Sequence, residues 1–288
     1  MGKRLPPGNH APVRALAGLT ALDGPASKLG KVARDAIPAG PVKDALSGSW
    51  LGHALHPLLT DVTIGTFTSA LALDVVGGRG SAPAARRLIG LGLLSAAPTI
   101  VTGYSDWADR EFGHPSARRI GLVHAASNAV ASSLFAASWV ARRRGGSGRV
   151  LALAGGAALS AGGYLGAHLA FGEGIGVDRT AFESAPEDWV AVLAEGELAD
   201  GELRRAEADG TAVMLVRTGG GLYALSDHCA HDGGPLHEGE LRDCTITCPW
   251  HHSVFDVRDG SLVHGPAAYP QPAWDARVRE GQIEVRRR

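Results

Sequence analysis

The sequence is short of cysteine. Three occur in 288 residues, Cys229, Cys244 and Cys248, and an odd count without a pairing pattern excludes a disulfide framework. A basic stripe with interleaved aromatics is also missing, which removes nucleic acid as a partner. The apolar run from Ala15 to Leu22 is weaker than a secretory signal, and no twin-Arg pair precedes it. The chain as a whole lacks an excess of either charge sign, with a net charge of −1. The two halves do not. Residues 1–178 carry 17 Lys and Arg against 10 Asp and Glu, and residues 179–288 carry 11 against 19. The basic half suits an anionic lipid surface. The acidic half suits either an electron carrier steered to a basic partner or plain solubility.

What the chain does have is four apolar stretches, at about 57–76, 87–105, 120–141 and 150–171. Each approaches the ~20 residues that cross a bilayer as a helix. They are apolar on all sides, which favours a lipid bilayer over a soluble four-helix bundle. Short connections predict an antiparallel arrangement. Asp61 and Asp74 interrupt the first stretch, Pro98 is expected to kink the second, and the fourth holds Gly162-x-x-x-Gly166, a spacing that lets helices approach closely. Residues 1–50, rich in Pro, Gly and Ala, read as an irregular arm with one or two short amphipathic helices, Ser27 to Arg34 being the best candidate. Residues 51–171 then form the four-helix membrane domain. Residues 172–187, with Gly172, Gly174, Gly176 and Pro186, form a linker. From Trp189 the pattern changes to short alternating runs such as Val213–Arg217 and Leu222–Leu225, separated by Gly219-Gly220-Gly221, and residues 188–288 read as a small β-domain. The fold class is therefore multidomain α + β, a transmembrane bundle followed by an all-β domain.

Two of the cysteines stand in Cys229-Ala230-His231 and Cys248-Pro249-Trp250-His251. Thiolates suit iron–sulfur clusters and zinc, and imidazole suits both. The C-x-H…C-x-x-H pattern, with His231-Asp232-Gly233-Gly234-Pro235-Leu236, Phe255-Asp256, Asp259-Gly260 and Gly265-Pro266-Ala267 around it, resembles the Rieske proteins over residues 188–288. That resemblance implies a 2Fe–2S cluster with Cys229 and Cys248 on one iron and His231 and His251 on the other, the His edges facing solvent as the electron exit. A structural zinc site can use the same residue types but leaves the flanking Gly-Pro loops unexplained. High-potential members of the family clamp the loops with a disulfide and place a Tyr hydroxyl near a ligand sulfur. Here those positions hold Gly234 and Trp250, and Phe255, while Ser253 keeps the hydroxyl donor and Pro266 the third loop. The resemblance thus implies a potential in the lower half of the roughly −150 to +300 mV Rieske range. His252 replaces the usual Gly and is read as solvated, and His228 and His237 are read as surface residues. Cys244 is read as a small hydrophobe of a strand.

The helical half resembles an uncharacterised four-helix membrane domain found alone or ahead of a Rieske domain. The residues carrying this are Gly52-His53-Ala54-Leu55-His56-Pro57-Leu58-Leu59-Thr60-Asp61, Gly103-Tyr104-Ser105-Asp106-Trp107, Arg119 to Ala125 and Tyr164 to His168. It implies no established activity. In an up-down-up-down bundle His56, Asp61, Asp106, His124 and His168 fall on one membrane side, and ionisable groups in a bilayer are functional candidates. A pair such as His124 and His168 would hold a b-type haem, or the group with His56 and Asp61 a quinone. The alternative is a hydrogen-bonded network that packs the helices.

Loops one and three carry Arg79, Arg86, Arg87 and Arg142, Arg143, Arg144, Arg149, while loop two balances Arg110, Arg118 and Arg119 with Asp106, Asp109 and Glu111. The positive-inside rule places the β-domain outside. The missing twin-Arg pair and the basic arm (Lys28, Lys31, Arg34, Lys43) point the other way, and a cytoplasmic β-domain is the reading adopted. The function expected is a membrane-tethered 2Fe–2S electron-transfer protein that exchanges electrons with a redox partner protein or a quinone. A redox- or iron-sensing membrane protein is the alternative. A Rieske oxygenase would need a further domain with a mononuclear iron held by two His and a carboxylate, so an electron carrier is expected rather than a self-contained catalyst.

Overall fold

A computed structural model describes residues 11–109 and 115–288; Arg110 and Glu111 of loop two lie outside the described residues. The chain divides into two compact units. One runs to Ile37 and resumes over Leu55–Ile175, and the other comprises Pro38–Ala54 and Gly176–Arg288. The boundary differs from the arm read at 1–50, because the last part of that segment belongs with the β-domain. The arm is also regular. It forms α1 (Ala11–Ala17), α2 (Asp23–Ala36) and α3 (Pro41–Ser47). α1 packs on the third long helix and α2 on the second and third, where Arg119 meets Asp23 with both arms of its guanidinium at 2.7 Å.

The four long helices are α4 (Leu55–Val76), α5 (Ala82–Ala108), α6 (Pro115–Arg143) and α7 (Arg149–Ala167), the last continuing into a π-turn over His168–Gly172. All four are long and apolar enough to cross a membrane. Large apolar side chains face outward, as Leu94 (74% exposed) and Val150 (79%) do, which suits a lipid surround and would be costly in water. α4 packs on α5 and α7, and α6 packs on the same two helices. α4 and α6 therefore sit diagonally across the bundle.

The bundle is internally repeated. Phe67 on α4 stacks on Phe135 of α6 with ring centroids 4.0 Å apart. Asp74 of α4 receives both arms of Arg142 from α6, with Nη1 to Oδ1 at 2.9 Å. In both pairs the α6 residue stands 68 positions beyond its α4 partner. The second helices repeat likewise. A Cβ on Gly92 would strike Phe67, and one on Gly155 would press on Phe135; a Cβ on Gly103 would strike the His56 ring, and one on Gly166 the His124 ring. One interval relates Gly92 to Gly155 and Gly103 to Gly166. Hairpin α4–α5 and hairpin α6–α7 are thus two copies of one design, facing each other across the core.

The β-unit is built of β1 (Val190–Ala194), β2 (Leu203–Ala208), β3 (Thr211–Thr218), β4 (Gly221–Ser226), β5 (Glu240–Arg242), β6 (Thr245–Thr247), β7 (Val254–Asp256), β8 (Leu262–His264), β9 (Ala273–Arg279) and β10 (Gln282–Arg287). Six strands form a sheet in the order β1-β10-β9-β4-β3-β2, and four form a smaller one, β5-β6-β7-β8. Three hairpins close on two residues with positive φ, Asp209-Gly210, Gly219-Gly220 and Glu280-Gly281, the turn geometry whose twist matches paired strands. Met214, Leu225, Leu236, Ile246, Phe255 and Val257 make one core. Cys229 and Cys248 are part of that core, so the ligand loops grow out of the best-packed region.

Candidate metal centre

The two ligand loops have the same backbone. Cys229 N donates to Gly234 O (2.9 Å) as Cys248 N does to Ser253 O (2.8 Å), and Gly233 N donates to Cys229 O (2.8 Å) as His252 N does to Cys248 O (3.1 Å). The fourth residue after each Cys lies in the left-handed region, Gly233 at φ +81° and His252 at φ +63°. His252 is indeed exposed, and it occupies a conformation that glycine adopts at no steric cost.

This backbone brings the four expected ligands together. Both thiols are buried, Cys229 at 1% and Cys248 at 2% exposure. The imidazoles of His231 and His251 lie beside each other, centroids 5.0 Å apart and nearly perpendicular. Backbone N–H groups of His231 and Asp232 point at the Cys229 sulfur, and those of Trp250 and His251 at the Cys248 sulfur. Such bonds favour thiolate and the reduced cluster. A Cβ on Gly234 would come within 2.8 Å of Cys248 Sγ and 3.1 Å of Trp250, so the glycine is what lets the loops close over the sulfur. Its hydrogen bond to Cys248 and its burial push the Cys229 thiol well above the ordinary range, and Cys248, which accepts that bond, is held below it. Iron needs both as thiolates, so loading the site releases protons. Two converging thiolates and two adjacent imidazoles fit a 2Fe–2S cluster of the Rieske type. When bound, that cluster supplies a one-electron couple. Of the two His, His231 is the more exposed.

Ser253 is fully buried, and its Oγ accepts Ala267 N–H at 3.0 Å, leaving its own proton to donate. Phe255 is fully buried opposite Ile246, and Pro266 follows Gly265 in a cis peptide bond. Other residues escaped sequence reasoning. Gln271, 1% exposed, accepts Ala230 N–H on Oε1 (2.9 Å) and donates Nε2 to Ser226 O and His228 O (both 2.7 Å). Arg179 reaches the buried Asp232 at 3.3 Å. Asp44 of α3 accepts Gly265 N–H (2.7 Å) and the His264 imidazole (2.9 Å), and Ser49 donates to Ala267 O (2.8 Å). The segment ahead of α4 is thereby part of the third loop's support. His237 is not a simple surface residue: its backbone N–H and Nδ1 both bond the buried Asp227 at 2.9 Å. Cys244 lies in the turn before β6, partly buried against the core, and not in the strand itself.

The polar residues of the helices separate into two groups. His56 donates Nδ1 to Thr99 O on α5 at 3.0 Å, and His124 donates Nδ1 to Gly162 O on α7 at 2.8 Å. The expected partners do not join them. Asp61 lies on the exposed face of α4. His168 lies two residues beyond Gly166, about 200° round the helix from the face that meets His124, with Nε2 3.8 Å from Glu173. The structure sets the His124 ring against Gly162 O and the His168 ring beside Glu173.

A model of the Rieske 2Fe-2S domain matches residues 188–275, and one described as a predicted membrane protein (DUF2231) matches residues 52–179. The chain is similar to ferredoxin CarAc of Metapseudomonas resinovorans, 34% identical over 98 residues, which is 34% of this chain and 92% of the relative. It is similar to the anthranilate 1,2-dioxygenase ferredoxin subunit of Burkholderia cepacia, 29% identical over 103 residues, 36% of this chain and 95% of that one. Among solved structures, the ferredoxin of carbazole 1,9a-dioxygenase from Nocardioides aromaticivorans IC177 matches with 33% identity, 35% of this chain, 98% of that chain and a TM-score of 0.33.

Proposed function

The chain belongs to the Rieske 2Fe–2S family through its C-terminal unit, which a multi-pass helical domain tethers to the membrane, and from that premise we propose that it delivers single electrons to a partner protein at the membrane surface. The observation that carries this is the His231–His251 pair at the edge of the ligand set, with His231 the more exposed. An oxygenase of the kind served by the ferredoxin relatives fits as acceptor, docking on that edge and drawn by the net negative charge of residues 179–288. We read the β-domain as cytoplasmic, the side where soluble reductases and oxygenases operate; the basic arm with Lys28, Lys31, Arg34 and Lys43 supports this reading. Bound haem or quinone among the helices would make the membrane half the source or sink of those electrons. Two hydrogen-bonded sulfurs raise the potential, whereas Phe255 and the absent loop disulfide lower it, and the lower half of the Rieske range is the value supported. The test is electron spin resonance and redox titration of the full chain in detergent. A reduced Rieske spectrum that disappears in Cys248→Ser, with the helical content kept, is the expected result. An unchanged spectrum in that variant, or iron and sulfide absent from the wild type, refutes it.

A further inference from the structure

His56 and His124 are counterparts in the repeated hairpins, and their geometry is fixed by residues that do touch. His56 lies eighteen positions before Asp74, and His124 eighteen before Arg142. Eighteen residues are five full turns of an α-helix, so each His leaves its helix in the same direction as the charged residue five turns away. Asp74 and Arg142 meet across the core. Phe67 and Phe135, each eleven positions after its His, meet there too. α4 and α6 run parallel in an antiparallel bundle, so His56 and His124 face each other at one level across the bundle axis.

Each ring is also set in one tautomer. A backbone carbonyl only accepts, so Nδ1 carries the proton in both: His56 gives it to Thr99 O and His124 to Gly162 O. Nε2 then presents a lone pair. Asn128 Nδ2 lies over the face of the His124 ring, 3.2 Å from Nε2 and 3.4 Å from Nδ1, and donates to His124 O at 3.1 Å, which leaves the in-plane lone pair of Nε2 to another partner. Gly103 and Gly166 let each imidazole lie flat against the neighbouring backbone, since a Cβ would come within 2.6 and 2.9 Å of the rings. A proton held by a carbonyl with the other nitrogen presented inward is the arrangement that orients a metal-bound imidazole.

We propose that His56 and His124 are the two axial ligands of a b-type haem seated on the pseudo-two-fold axis of the helical domain. Two neutral imidazoles facing across an axis suit an iron that brings its own four equatorial nitrogens. The groups around them are hydroxyls, a carboxamide and glycines, such as Thr63, Thr99, Asn128 and Gly162, and supply no anionic donors to cage a bare cation. The proposal deepens the reading of the helices as electron source or sink and rests on it only for the haem's role.

The experiment is purification of the full chain in detergent from cells supplied with a haem precursor, with haem, iron, copper and zinc measured per chain. One haem per chain is expected, with a low-spin spectrum. It should fall to none in His56→Ala and in His124→Ala and stay at one in His168→Ala. His56→Met and His124→Met should retain haem with a shifted absorption and spin-resonance signature, which a packing role would not produce. The Rieske signal of the same samples reports folding and keeps the two readings apart: cluster without haem overturns this proposal alone. Haem retained unshifted in both Ala variants, or one bare copper or zinc per chain lost in them, also overturns it.

Discussion

Gln271→Met tests whether the first ligand loop is held from outside its own motif. Methionine nearly fills the same space, so no cavity opens, but all three side-chain bonds are lost. Ala230 is 1% exposed, and its orphaned N–H costs about 1–3 kcal/mol. The two donated bonds contribute about 0.5–1.5 kcal/mol each, so the total is about 2–6 kcal/mol. That is a large part of the ~5–15 kcal/mol that holds a domain, and for a unit of this size it lowers the melting point by roughly 6 °C or more. Ala230 lies between Cys229 and His231, so the spin-resonance lines should move as well. Gln271→Glu keeps the acceptor for Ala230 and loses both donors, and should retain more cluster at low pH, where its carboxyl is protonated. The assay is loss of visible cluster absorbance on heating, with spectra of each variant before heating. A Gln271→Met protein with the wild-type melting point and lines would refute the reasoning.

Two further outcomes are expected. Arg142→Met takes both hydrogen-bonded arms from the buried Asp74, 2% exposed in its side chain, and leaves it only the half-exposed Arg149 at 3.8 Å; it should cost up to about 3–5 kcal/mol, whereas Asp74→Leu combined with Arg142→Met should recover most of it; unfolding in SDS followed by helical circular dichroism reads this, and a single variant as stable as the wild type contradicts it. Burial raises the carboxyl of Glu183 above its usual range, with His228 3.6 Å away, so the folded state binds that proton more tightly than the unfolded chain does. Its stability is fully present below the ordinary carboxylate range and lost as pH rises through the folded value; Glu183→Gln should therefore raise the melting point at pH 7–8 and leave it unchanged near pH 4, and a gain of equal size at both pH values would refute the cause.

The repeated hairpins would supply one site with two matching halves. Each hairpin places one ring from its first helix against a glycine of its second, and the diagonal contacts Phe67–Phe135 and Asp74–Arg142 lock the copies in register. The Asp74–Arg142 pair lies five turns from the His level, at the far end of the helices. A buried pair of this kind fixes which faces meet, which is what a site made of one residue from each copy requires.

The sequence by itself determined the elements whose information is local. The four candidate ligands lie within 229–251, close enough in the chain for their pattern to carry the Rieske resemblance, and four apolar runs give the spans to within a few residues because lipid demands length and hydrophobicity together. Glycine spacing on α7 pointed to a close helix approach, while its partner, α6 at Asn128 and His124, came from the structure. Tertiary structure alone decided the rest. Gln271, Asp44 and Ser49 lie 41 to 221 residues from the groups they bind, and no local pattern joins them. The interior face of the helices was also hidden. In water a helix declares its buried side by polarity, but a helix apolar all round carries no such mark. Asp61 and His168 share a membrane side with His56 and His124 in the sequence reading, and only the rotation of each helix, set by Phe67 on Phe135 and Asp74 on Arg142, brings His56 and His124 against the neighbouring helices and leaves Asp61 exposed.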